Sequence, residues 1–89
     1  VSATSSTNFE SPNVFIDFFG TSQNANQYLW DFDDGNTATT QNTTHAYTTT
    51  GSYQVTFTGY NGNCFDQDQI SIMILDNKAI LHQKYFIVQ

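Results

Sequence analysis

Four stretches of this chain carry an apolar side chain at every second position: VFIDFF (residues 14–19), YLWDF (28–32), SYQVTF (52–57) and QISIMIL (69–75). A two-residue period sends alternate side chains to opposite faces of an extended backbone, so each stretch reads as a β-strand. Turn signals separate the strands. Asp34-Gly35 and Asn61-Gly62-Asn63 supply glycines that accept positive φ and side chains that hydrogen-bond their own backbone. The Thr-rich segment NTATTQNTT (36–44) predicts one or two short edge strands, and HAY (45–47) a further short one. No segment before residue 76 combines a 3.6-residue period with helix caps. Short strands at close intervals predict an antiparallel β-sandwich.

The alternation also assigns faces. Val14, Ile16 and Phe18 share one face; Phe15, Asp17 and Phe19 share the other. Tyr28, Trp30 and Phe32 fall together, as do Tyr53, Val55 and Phe57, and then Ile70, Ile72 and Ile74. Gln54, Thr56 and Thr58 are expected to face outward. Trp30, Phe32, Tyr53, Val55 and Phe57 are the expected core, because large aromatics supply most of the apolar area a small domain can bury. Phe15, Phe19 and Tyr60, with Leu29 and Phe65, fall on outward faces or near strand ends. They are the candidate binding surface, the competing reading being that they pack against loops or the C-terminal tail.

Composition narrows the function classes. With two lysines, no arginine and eight acidic residues the chain has a formal charge of −6. It therefore lacks the basic footprint that nucleic acids or anionic membranes require. No apolar run approaches the length that spans a bilayer. Cys64 is the single cysteine, so no intramolecular disulfide forms. Residues 1–7, small and Ser/Thr-rich, are expected to be a linker or frayed end, residues 8–75 the folded domain, and residues 76–89 a tail or an extra strand. The tail holds both lysines, Lys78 and Lys84.

Asp31, Asp33 and Asp34 crowd the turn after YLWDF. Two carboxylates in an enzyme need a cleft and a substrate platform, and a turn on a small sandwich offers neither. Calcium, which takes six to eight oxygen ligands, is the alternative use of three aspartates, against the simpler reading of a solvated turn whose carboxylates accept backbone N–H bonds. His45 and His82 have no partner at zinc-ligand spacing. No Ser–His–Asp arrangement stands out, and no catalytic residue is assigned. Tyr53 stands two residues before Val55, the spacing of the tyrosine corner of immunoglobulin-like domains, and is read as a structural hydroxyl tied to nearby backbone.

WDFDDG (30–35), HAY (45–47) and GSYQV (51–55) together resemble the PKD domain, whose core reads W-D-F-G-D-G, then H-x-Y, then G-x-Y-x-V. The resemblance covers roughly residues 8–75 and departs at Asp33, where the family usually has glycine. It implies an immunoglobulin-like sandwich of two antiparallel sheets and about seven strands, non-catalytic and extracellular or cell-surface. Such a module acts as a spacer between neighbouring domains of a larger surface or secreted protein, or contacts protein or polysaccharide ligands. It also implies that no cofactor is needed, apart from calcium in some members. The alternatives are a carbohydrate-binding module that uses exposed aromatics and an assembly element whose tail is an added or exchanged strand.

Overall fold

The computed structural model describes residues 1–76 and contains β-strands only: β1 (Ser2–Ser5), β2 (Phe9–Glu10), β3 (Phe15–Thr21), β4 (Gln27–Asp31), β5 (Thr37–Ala38), β6 (Asn42–Ala46), β7 (Gly51–Asn61) and β8 (Cys64–Ile74). They form two facing sheets, one of order β1-β3-β6 and one of order β2-β8-β7-β4-β5. All pairings are antiparallel except β2 with β8, which is parallel. This is the expected immunoglobulin-like sandwich, with eight strands in place of about seven. The difference arises at the N-terminal edge, where one extended segment pairs first with β3 in one sheet and then crosses to pair with β8 in the other.

That edge corrects the expectation of a linker over residues 1–7. Ser2–Ser5 is a strand in register with β3, Ser2 opposite Thr21 and Ser5 opposite Phe18. Asp68 Oδ2 accepts the Ala3 N–H at 2.8 Å from outside this sheet. A short Ser/Thr segment carries little periodicity of its own, and pairing partners distant in sequence decide its state. The expected tail or extra strand at 76–89 lies, from residue 77 on, outside the described residues.

The core sits where the alternation places it. Ile16 and Phe18 of β3, Trp30 of β4, Val55 and Phe57 of β7, and Ile72 and Ile74 of β8 are fully buried, with Phe32 and Tyr47 just beyond their strands. Tyr28, Tyr53 and Ile70 are half-buried against this cluster. Trp30 packs against Phe57 at 4.5 Å and Phe18 at 5.5 Å between ring centroids, so one ring joins both sheets. Its Nε1–H donates to the Gln41 carbonyl at 3.1 Å, and Gln41 Nε2 donates to the Gly20 carbonyl at 2.9 Å. The one polar atom of the largest core side chain is thereby satisfied across the sandwich.

Val14 departs from the face assignment, and Thr58 keeps its assigned face but not the exposure that goes with it. Val14 lies just before β3 and is 41 % exposed. Thr58 points away from the core, yet is only 3 % exposed. It stands on the central strand between Leu29 and Gln67, and Gln67 Nε2 donates to its Oγ1 at 3.0 Å. The β7–β8 connection is a two-residue hairpin with φ of 62° at Gly62 and no positive φ at Asn63, the pattern of a type II′ turn.

Gly20 is a packing requirement. A Cβ there would stand 2.3 Å from Cζ at the tip of the Phe57 ring. Gly20→Ala is expected to lower the unfolding free energy by about 1–3 kcal/mol, the usual cost of overpacking. Adding Phe57→Leu should recover part of that loss, so that the two changes are less than additive. Urea unfolding of the two single variants and the double variant measures this; strict additivity would mean that the ring contact is not the cause.

Candidate functional site

The stretches 30–35, 45–47 and 51–55 are separate in the chain and meet at one end of the sandwich. Trp30 and Phe32 alternate inward on β4 and its extension, while the chain turns through Asp33 and Gly35, both at positive φ (65° and 91°), into β5. The Phe32 N–H bonds the Asn36 carbonyl and closes the turn. His45 lies flat on Phe32, with ring centroids 4.2 Å apart and planes 7° apart, and Tyr47 meets His45 edge-on at 4.7 Å. Tyr47 stacks in turn on Tyr53 at 4.1 Å. The Tyr47 hydroxyl donates to the Phe32 carbonyl at 2.8 Å, and burial pushes its ionisation well above the ordinary tyrosine value, so it stays a donor. The Tyr53 hydroxyl donates to the Thr49 carbonyl at 2.9 Å and stands 2.8 Å from Thr49 Oγ1. This is a hydroxyl that fastens the turn before β7.

Each aspartate of the turn has a local structural partner. Asp31 Oδ1 accepts the Asp33 N–H at 3.0 Å, Asp33 Oδ2 the Gln54 N–H at 3.0 Å, and Asp34 Oδ1 the Asn36 N–H at 3.1 Å. Asp34 Oδ2 faces His45 Nε2 at 2.6 Å, with side chains only 18 % and 14 % exposed. Among the described residues, no group of three or more His, Cys, Asp or Glu side chains is arranged to hold a metal ion. Asp31, Asp33 and Asp34 each give one carboxylate oxygen to a different backbone N–H, those of Asp33, Gln54 and Asn36. Asp66 and Asp68 serve the N-terminal edge, where Asp66 Oδ2 stands 2.7 Å from the Val1 nitrogen.

The candidate surface residues divide between two faces. Phe15 and Phe19 lie on the outer face of the three-stranded sheet, 71 % and 45 % exposed, with Asp17 between them. Tyr60 is half-buried on the outer side of the other sheet, opposite Phe65, whose ring is 6.2 Å away and 63 % exposed. This pair borders an open groove of about 530 Å³ between the 22–26 loop and the β7–β8 hairpin. The groove lies at the far end of β7 from the motif cluster. The alternation singles out Tyr60 and Phe65 as outward but carries no sign of the loop that comes to face them.

The positive φ of Asp33 accounts for the usual glycine at this position. A left-handed backbone is disfavoured for most side chains and tolerated by Asp and Asn. The side chain adds the bond to Gln54, which glycine cannot make. Asp33→Gly exchanges one contribution for the other and should leave stability within about 1 kcal/mol of the parent, whereas Asp33→Ala loses both and should cost about 1–3 kcal/mol. Chemical denaturation of the pair checks this; equal losses would show that backbone conformation is irrelevant here.

Burial opposes ionisation of Asp34, but the hydrogen bonds from His45 and Asn36 outweigh it and hold the carboxyl below its ordinary 3.8. The unfolded chain then takes up this proton first. The contribution is complete above the ordinary value of 3.8 and is lost as pH falls through the lower folded value. Asp34→Asn should accordingly melt below the parent at neutral pH, and the gap should narrow toward about pH 2. Circular-dichroism melts across that range decide; a pH-independent gap would remove the charge from the explanation.

The model of the PKD domain family matches residues 4–73. No curated protein matches the chain. The match starts within β1 and ends within β8, so it spans both sheets and all three stretches that meet around His45. On that coverage and this fold, the chain belongs to the PKD domain family.

Proposed function

We propose that this domain is a non-catalytic extracellular spacer and interaction module that orients neighbouring domains of a larger surface or secreted protein. The observation that carries this reading is the direction of the chain through the sandwich. Val1 lies beside Gly59 and Asp66, at the end where β7 turns into β8. Ile74 pairs with Gly51 at the opposite end. Eleven residues of β8 separate these ends, roughly 35 Å at the rise of an extended strand. Segments joined at the two ends would leave in opposite directions, the arrangement that turns a domain into a rod element. The motif cluster supports the same role, since its polar groups are spent on locking turns. No described helix is long and apolar enough to cross a membrane.

A second reading, glycan contact, is favoured by the exposed rings of Phe15, Phe19 and Phe65. An isolated exposed aromatic is ordinary, but paired ones beside neutral amides and hydroxyls are the usual makings of a sugar platform. The third reading, a tail that adds as a strand to another copy, concerns residues outside those described.

Two copies joined head to tail by a short linker test the spacer role. Small-angle scattering should give a maximum dimension close to twice that of the single domain. A dimension near that of one domain, from side-by-side packing, would sink the proposal.

A further inference from the structure

We infer that the groove between the 22–26 loop and the β7–β8 hairpin is a binding site for a neutral carbohydrate, with Phe65 and Tyr60 as its stacking platform. This rests on the glycan-contact reading above and names a site and its groups. The groove, at about 530 Å³, falls within the range of small-ligand sites. Its apolar wall is the cross-strand pair Tyr60 and Phe65, with ring planes 43° apart and Phe65 largely exposed. Aromatic faces carry negative π density and attract the polarised C–H groups of a pyranose ring.

The polar rim differs from the amide ladder across β7 and β8. On the outer face of the five-stranded sheet the amides are tied into a ladder: Gln54 Nε2 donates to Gln69 Oε1, Gln69 Nε2 to Thr56 Oγ1, and Gln67 Nε2 to Thr58 Oγ1. Gln41 and Asn42 are spent on the backbone of Gly20. The side chains of Gln23, Asn24 and Asn61, which line the groove, make no hydrogen bond to any described residue. Each keeps both donor and acceptor for vicinal hydroxyls, which themselves donate and accept.

The loop that presents them is held in place beforehand. The Ala25 N–H donates to Ser22 Oγ at 3.1 Å, the Tyr28 hydroxyl to the Ala25 carbonyl at 3.3 Å, and the Asn26 N–H to the Tyr60 carbonyl at 2.8 Å. The last bond also consumes the backbone groups that an extended peptide would need for main-chain pairing at this point. Gly59 sets the floor: a Cβ there would lie 2.7 Å from Val1 Cγ1 and 3.0 Å from Ala25 Cβ. Charge selects a neutral ligand. Asp66 lines the groove and ion-pairs the Val1 ammonium, and no Lys or Arg occurs among residues 1–76, so an anionic sugar or phosphate would find no unpaired cationic side chain there.

The test is an amide-resolved NMR titration of the 89-residue chain with neutral gluco-, manno-, xylo- and chito-oligosaccharides. Saturable shifts confined to residues 22–26 and 60–66 are expected with at least one of the four. Phe65→Ala and Asn24→Ala should each weaken that binding about tenfold. Both side chains are on the surface, so unchanged spectra elsewhere will show that the variants are folded. Phe15→Ala/Phe19→Ala is the separating control. If sugar binds and this double variant, rather than Phe65→Ala, abolishes it, the groove assignment is overturned while the glycan-contact reading stands. If none of the four sugars shifts any residue, both fail. Shifts at the groove from an unstructured peptide but from no sugar would also overturn the inference.

Discussion

Everything in this sandwich is arranged around the burial of Trp30 between the sheets. A domain of this size has room for one core, and its largest side chain bridges that core's two walls through contacts to Phe18 and Phe57. An indole buried with an unbonded N–H would forfeit part of that gain. The Gln41 carbonyl prevents this, which fixes the segment entering β6, and the Gln41 amide returns the tie to Gly20 on β3. Gly20 in turn carries no side chain because the Phe57 ring occupies that space. The path of the β5–β6 connection follows from the buried Trp30 indole, and the glycine in β3 from the Phe57 ring packed against it.

The two ends of the sandwich have opposite characters. At one, Phe32, His45, Tyr47 and Tyr53 stack in sequence and three aspartates bond turn N–H groups, so nearly every polar atom is satisfied internally. Such an end resists deformation and suits a structural junction. At the other, a pre-bonded loop and a tight hairpin hold aromatic rings and unspent amides open.

The aspartates of the turn show how residues adjacent in sequence are divided in space. Asp31, Asp33 and Asp34 are close in sequence, but a turn with two positive-φ residues sends their carboxylates to three different structural partners. Adjacency along the chain says little about convergence in space, which is what a metal or a proton relay requires. Asp33 joins backbone and side-chain effects in one residue, since it tolerates the left-handed conformation and accepts the Gln54 N–H of β7.

The sequence by itself determined the long strands, their inward faces and the family resemblance. Residue alternation is local and survives without knowledge of neighbours, so Ile16, Phe18, Trp30, Phe32, Val55, Phe57, Ile72 and Ile74 were legible as core. The outward placement of Phe15, Phe19 and Tyr60 was legible on the same ground. Only the tertiary structure decided that residues 2–5 form a strand, because that segment has no pattern and is ordered by β3 and Asp68. It alone decided that Thr58 is covered, that His45 answers Asp34, and that the 22–26 loop faces Tyr60 and Phe65. The physical reason is common to all three. Periodicity reports on which side of its own strand a residue lies, whereas cover, pairing and grooves depend on what folds back over it from elsewhere in the chain.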